Sequence, residues 1–439
     1  MALAPLLLLP YSLESQALSA TTSERIHGTA PYLTIDGGTT KLTTTDDLLS
    51  IKLSDGRTFT LQNNSSSPTA PIKLPNVEDT FADIEMIVPS SSNSININDL
   101  VAQGKWGDDD GDGQGAGEIT ASGSISLAIK DKDGNTINRS DALDICKAPY
   151  KVTLSSTGGS LTTQYGLPDS STFSRGTAEY YITPSQPVIC AVRPNLDRGI
   201  GQHAGLASIW NPDKGFLVQS TNPSSYDRNF PTTGADGLYF DLLIAGVDAS
   251  QLSWSVTTYG GSGDITATVN WVYSNTRVTL SGPRADSSQI SSSSPGSLAR
   301  PVLPQTFELV GRDSSGNEVR YGFVLRQWFV HREYKHDSAL NQTTWCNSLG
   351  YRMPRVRDLT NSNYNNLGAT PSSSGNSYMR HIGAGFFTEW GRMYNYTDAG
   401  FVDGYYWASG SNRFDVSSQY GNVISPSPSV SGYAVCTAP

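Results

Sequence analysis

The chain has 439 residues, long enough for two to four domains that each bury a core. Its formal net charge of −10, with no cluster of Lys and Arg, argues against nucleic acid as a partner, because phosphate neutralisation needs a basic patch. Charged residues are sparse at 16% and Tyr outnumbers Phe, a composition that suits many short strands joined by polar turns.

Met1 opens an apolar run, Ala2 through Leu9, that ends in small residues at Ala17-Leu18-Ser19-Ala20. It lacks a basic leader and Pro10 cuts it short, so 1–20 reads as an atypical export signal. No later stretch approaches eighteen apolar residues, and no series of ten-residue alternating segments is long enough for an outer-membrane barrel.

From 21 to 78 the signs are β. Leu49, Ile51 and Leu53 alternate with polar residues, Asp55-Gly56 turns, and Phe59 and Leu61 resume the alternation, which predicts a hairpin. A Ser/Pro-rich connector follows at 63–71. Next comes an acidic loop in which Asp108, Asp110 and Asp112 precede Gly113. Alternate carboxylates and a tight turn form the first half of a calcium loop. Glu118 stands one residue before the closing position, so the same stretch also reads as a solvated acidic turn. Calcium is the one cofactor the chain suggests.

Ile119, Ala121, Ile125, Leu127 and Ile129 alternate with polar residues and put their apolar set on one face. A second series reaches Ile265, Ala267, Val269, Trp271 and Tyr273, predicted to share a half-buried face. Both blocks have the strand spacing of immunoglobulin-like sandwiches without the Cys…Trp…Cys signature of antibody domains. The stretch 283–304, with four serines in a row at its middle, reads as a linker.

Four cysteines fall into two sequence-local pairs, Cys146 with Cys190 and Cys346 with Cys436, and no Cys-x-x-Cys occurs. Two disulfides in an oxidising compartment are preferred to four reduced, buried thiols. The first bridge would pin the sandwich at 79–200. Around Cys346 lies the chain's clearest helix signal: Asp337 or Asn341 as cap, Trp345 and Leu349 one turn apart, and Gly350 as the left-handed stop. Cys436 sits in the last strand-like run, so a helix is tied to a final strand. A second short helix is expected from Val356 to Leu359, and the hairpin of Phe307 and Tyr321 should open this terminal domain.

Trp345-Cys346, Gly350-Tyr351-Arg352-Met353-Pro354, Trp407-Ala408-Ser409 and the closing Cys436 together resemble the C-type-lectin-like fold. More narrowly, from about Asp108 onward the chain resembles the C-terminal adhesion region of intimin/invasin-type outer-membrane adhesins of enteric bacteria. Asp144-Ile145-Cys146-Lys147-Ala148-Pro149-Tyr150, Asn229-Phe230-Pro231-Thr232-Thr233-Gly234-Ala235-Asp236-Gly237 and Gly383-Ala384-Gly385-Phe386-Phe387-Thr388-Glu389-Trp390 carry that match. The resemblance implies adhesion to a host or neighbouring cell from the extracellular or outer-membrane surface. The family's anchoring barrel is not visible here, so a separate outer-membrane barrel partner belongs to the expectation.

No catalytic constellation stands out. His331 and His336 are poorly spaced for zinc, His381 is single, and no serine sits in a nucleophile elbow. Glu389 with Asp398 could serve glycoside hydrolysis only at the right separation. Calcium-dependent sugar binding lacks its Glu-Pro-Asn or Gln-Pro-Asp loop. What remains is recognition by aromatic loops, since Tyr and Trp give large contact area with few rotors to freeze. Trp390, Tyr394, Tyr396, Tyr405 and Tyr406 are the candidate ligand-binding residues, whereas Trp345 and Trp407 are assigned to the core.

The expected architecture is mainly β: an N-terminal element (21–78), sandwich modules at 79–200 and 201–304, and an α+β C-type-lectin-like domain at 305–439. The expected function is an adhesin, not an enzyme, that binds a host-cell protein or glycan. A polysaccharide-acting enzyme with a targeting domain and a phage-type receptor binder are the alternatives.

Overall fold

The computed structural model describes residues 27–109, 111, 119–261, 263–410, 413–427 and 429–438. The expected export signal at 1–20 lies outside them. The chain is mainly β and divides into two compact units: residues up to 143 with 149–182, and 144–148 with 183–439.

In the first unit, β1 (Ile72–Lys73), β2 (Ser94–Asn96), β3 (Ile119–Ser122), β4 (Ser124–Lys130), β5 (Tyr150–Thr163) and β6 (Ser170–Thr183) make one sheet. Its order is β1-β6-β5-β4-β2, and β3 pairs with the far half of β5. The period-2 pattern lies as expected: Ile125, Leu127, Ile129, Val152 and Leu154 are buried, and their neighbours are half-buried or exposed. The predicted hairpin is present, with Ile51 opposite Phe59, and the Tyr180 hydroxyl donates to Leu49 O at 2.7 Å. Buried Arg139 donates to the carbonyls of Phe81, Ile84 and Val88, and so satisfies acceptors of an irregular stretch that is bridged to a strand only at Glu85. Residues 27–78 and the strands after them therefore share one unit, across the expected boundary at 78/79.

The second unit begins with five residues taken out of the first, 144–148, and resumes at 183. Cys146 is bonded to Cys190 on β7 (Val188–Arg193), with the Cα atoms 5.5 Å apart. This bridge lies wholly within the second unit, so it does not pin the first sheet as expected. In chain order β8 (Trp210–Asn211), β9 (Gly215–Leu217), β10 (Thr233–Ala235), β11 (Tyr239–Ala245), β12 (Ser253–Gly260), β13 (Thr266–Val272) and β14 (Asn275–Ser281) follow. The short helix α1 (Ser287–Ser291) precedes β15 (Gln305–Arg312), β16 (Glu318–Leu325) and β17 (Gln327–His331).

Two sheets form the immunoglobulin-like sandwich, β8-β9-β7-β11-β14-β13 and β12-β15-β16. Phe240 on the first meets the edge of Phe323 on the second at 5.8 Å, and Phe323 stacks on Phe307 at 4.9 Å. The expected boundaries at 200/201 and 304/305 are both displaced. β7 already belongs to this sandwich, and the β15–β16 hairpin pairs with β12 instead of opening the terminal domain. The predicted face of β13 is also only half right. Ile265 and Ala267 are buried, but Trp271 is exposed and Tyr273 is 90% exposed. β13 is the edge of its sheet, and Tyr273 with Ser274 forms a left-handed turn at its end.

The terminal C-type-lectin-like domain adds α2 (Ala339–Ser348), α3 (Val356–Leu359), α4 (Phe386–Trp390), β18 (Tyr405–Ala408), β19 (Phe414–Ser417), β20 (Val423–Ile424) and β21 (Val435–Ala438). Ser338, and not Asp337 or Asn341, caps α2, accepting from the Asn341 N–H, while Asp337 receives the Ser338 N–H and the Asn341 side chain. Gly350 at φ +85° ends the helix as predicted. Cys346 is bonded to Cys436 on β21. Trp345 and Trp407 are buried.

The terminal domain's first sheet is β10-β17-β21, so a strand from the sandwich half of the chain, β10, lies parallel to β17. The expected linker 283–304 is a strap. The Trp345 ring N–H donates to Gln289 O, buried Arg332 donates to Ile290 O and Ser292 O, and Leu298 N–H donates to Leu349 O. Sandwich and terminal domain are thus interleaved along the chain.

Candidate tyrosine-lined recognition face

The five aromatic candidates separate into two groups. Trp390, Tyr396 and Tyr406 are fully buried, which corrects the expectation that they meet a ligand. Each has spent its polar tip internally. Trp390 Nε1 donates to Thr233 O at 3.0 Å, Tyr396 donates to Trp390 O at 3.0 Å, and the Tyr406 hydroxyl lies 3.2 Å from Val402 O. Burial pushes the phenols of Tyr396 and Tyr406 well up from their ordinary range. Tyr405 and Tyr406 are adjacent on β18 and point to opposite faces, so only one of them can reach solvent there.

Tyr394 and Tyr405 do reach solvent, 56% and 37% exposed, and Tyr420 joins them at 38%. Tyr394 sits on a single 3-10 turn whose buried neighbour Met393 holds it to the core. The Arg392 guanidinium lies 6.0 Å from the Tyr394 ring centre and bonds Asp403 at 2.6 Å and Asp197 at 3.6 Å. The hydrogen bond to Asp403 raises the Arg392 pKa above its ordinary value. Asn422 donates to the Tyr405 hydroxyl at 3.1 Å. Arg198 stacks over Tyr420 at 4.4 Å and donates to its hydroxyl at 2.9 Å.

Hydrogen bonds between loops make these groups one face. Ser418 N–H donates to Gly404 O, Met393 N–H donates to Ser418 O, and Asn395 donates to Asp197 at 3.0 Å. The Asn195 amide side chain donates to Arg392 O at 2.6 Å, and its backbone N–H donates to the Tyr396 hydroxyl at 2.9 Å. The sandwich loop 195–198 is thereby fixed to the terminal domain. Arg198 and Arg392 are equalled in number by Asp197 and Asp403, both of which pair with Arg392. Three amphipathic rings on a charge-balanced, internally bonded frame can bury area and make hydrogen bonds at little cost in ordering. Tyr420 and Arg198 stand 222 positions apart, and no local sequence signal joins them.

The other candidates have separate locations. Asp108 is buried and accepts from the Thr29 hydroxyl at 3.2 Å, whereas Asp110, Asp112 and Glu118 lie outside the described residues. Among the described residues no three His, Cys, Asp or Glu side chains are placed to hold a metal. Glu389 is sealed in the core and Asp398 is exposed on a surface turn, so the pair makes no two-carboxylate site. Buried His331 bonds Ala399 O through Nε2 at 2.7 Å, and its Nδ1 accepts the Glu333 N–H. His336 packs edge-on to Tyr433, and His381 bonds the neighbouring carbonyl of Ile382.

No family model matches the chain, and no curated protein matches it. Among solved structures it is similar to invasin, a bacterial integrin-binding protein, at 14% identity and TM-score 0.37, over 74% of this chain and 52% of that one. The chain thus spans about half the length of that structure. It is similar to the C-terminal 282-residue fragment of intimin in complex with the intimin-binding domain of the translocated intimin receptor, at 11% identity and TM-score 0.32, over 73% of this chain and 86% of that one. An intimin–Tir90 complex matches at 13% identity and TM-score 0.26, over 57% of this chain and all of that one. Fragments of invasin and intimin are what this chain is similar to, and its own architecture is mainly β.

Proposed function

We propose that the chain is the adhesive segment of a bacterial surface protein, and that its terminal domain binds a protein on another cell through the face of Tyr394, Tyr405 and Tyr420. The observation that carries this reading is the exposure of three tyrosines on segments bonded to one another, beside Arg392, which pairs with Asp197 and Asp403, and Arg198, which stacks on Tyr420. The motif resemblance to intimin/invasin-type adhesins supports the same class, an extracellular or outer-membrane location, and a barrel as anchor. Among the described residues no helix is long and apolar enough to cross a membrane, which leaves a β-barrel untouched as an option. The partners that invasin and intimin bind supply the kind of ligand to try first, a cell-surface receptor protein.

The test is binding of fluorescent protein to cultured mammalian cells, before and after protease treatment of the cells. A Tyr394→Ser, Tyr405→Ser, Tyr420→Ser triple variant with an unchanged melting point should lose binding. Full retention by that variant, or binding that survives protease treatment, would overturn the reading.

A further inference from the structure

A cleft of about 430 Å³ opens elsewhere in the second unit, beside the start of β10, the helix α3 and the loop 366–370, and it shares no residue with the tyrosine face. Its lining is polar. Thr370, Gln327 and Asn366 line it with two arginines, Arg326 and Arg357, while the hydroxyl of Thr232, also in the lining, is spent on Glu389. At Gly385 the backbone stands at φ +108°, and a Cβ there would meet Thr360 N at 2.6 Å. Only glycine fits, and the wall at that point is bare backbone.

Charge decides what this cleft selects. Asp358 lies in the wall, but its carboxylate is spent on Arg352 at 2.7 Å and Arg355 at 3.0 Å. Burial disfavours its ionised form, yet the hydrogen bonds from Arg355 and Arg352 outweigh that and hold its pKa below the usual carboxylate range. Glu389, fully buried, spends its oxygens on the N–H groups of Thr232, Thr233 and Gly383. Arg326 makes one ion pair, with Asp227 at 2.9 Å, in which both side chains are more than half exposed, a contact of little strength. Exposed Arg357 makes no hydrogen bond or ion pair among the described residues. Four arginines (326, 352, 355, 357) stand against three acids (Asp227, Asp358 and buried Glu389), a local excess of positive charge in a chain whose net charge is −10.

We propose that this cleft binds a carboxylated sugar residue. Arg357 and Arg326 take the carboxylate, for which a guanidinium offers paired donors. The Thr370, Gln327 and Asn366 side chains take ring hydroxyls, groups for which an apolar pocket would have no partners. The volume is at the small end of ligand pockets and suits one or two sugar rings. The site is independent of the tyrosine face, so either can fail without the other.

The experiment is calorimetric titration of the whole chain with 3′-sialyllactose, a glucuronate-containing hyaluronan tetrasaccharide, neutral lactose, sodium acetate and a short Glu-rich peptide. At least one of the two acidic sugars should bind, and lactose should not. Arg357→Ala and Arg326→Ala, both at exposed positions, should leave the melting point unchanged and each weaken the sugar by about tenfold, with Arg357→Lys intermediate because a point charge replaces a fork. Absence of binding by both acidic sugars would overturn the proposal. So would equal binding of lactose, acetate or the peptide, or affinity unchanged in Arg357→Ala.

Discussion

Glu389 and Thr233 are joined twice: one carboxylate oxygen accepts the Thr233 N–H at 2.9 Å and its hydroxyl at 2.5 Å. The other takes the Thr232 hydroxyl and the Gly383 N–H, both at 2.9 Å. Burial pushes the acid's pKa up, and the bonds from Thr233, Gly383 and Thr232 pull it down; burial prevails. This one carboxylate fastens α4 of the terminal domain to β10.

Removing that acceptor leaves buried donors facing nothing. Glu389→Ala should cost about 3 kcal/mol or more, and Glu389→Gln about 2 kcal/mol, because the amide turns an N–H₂ toward groups that themselves donate. Urea unfolding of both variants checks this. A Gln variant as stable as the parent would contradict the reading.

Two buried titratable groups give the stability–pH curve opposed slopes. Burial lowers His331 from its ordinary 6.5 to about 4. Its contribution is present above pH 6.5 and is lost as pH falls through 4. Burial alone raises Asp415, whose Oδ1 has no hydrogen-bond partner, from 3.8 to about 7. Its contribution is present below pH 3.8 and is lost as pH rises through 7. Asp415→Asn should therefore stabilise the protein by about 2 kcal/mol at pH 8 and leave it unchanged near pH 3.5. Equal melting shifts at the two pH values would contradict this assignment.

Closing loops of 44 and 90 residues limits the unfolded chain. On the chain-entropy model, replacing either cysteine pair by alanine should cost roughly 4 kcal/mol. Both bridges fall within the second unit, so the loss should appear in its transition and leave the first unit's unchanged. Mass spectrometry of alkylated native protein should find no free thiol.

The strap 283–304 should behave as folded structure despite its serines and prolines. Arg332 holds Ile290 O and Ser292 O and stands 5.4 Å from the Trp345 ring centre. Hydrogen exchange at the amides of Ile290 and Leu298 should be slow, and Arg332→Ala should speed it by about tenfold or more. Fast exchange in the parent would return the segment to the status of a free linker.

Local order was legible wherever one element's own residues decide it. Ile125, Leu127 and Ile129 announced their buried face by period, and Ile51 with Phe59 announced a hairpin. Trp345, Leu349 and Gly350 marked the helix that carries Cys346, and the mainly β class followed from such patterns, whereas the lectin-like end was what the motif resemblance implied. Tertiary packing alone decided which hairpin completes the sandwich, which strand the terminal sheet borrows, and that Ser291 to Ser294 lie along a strap. It also set Tyr405 outward and Tyr406 inward, and brought Tyr420 under Arg198. The physical reason is range: periodicity and capping act over a few residues, whereas exposure and pairing depend on what arrives from elsewhere in the chain.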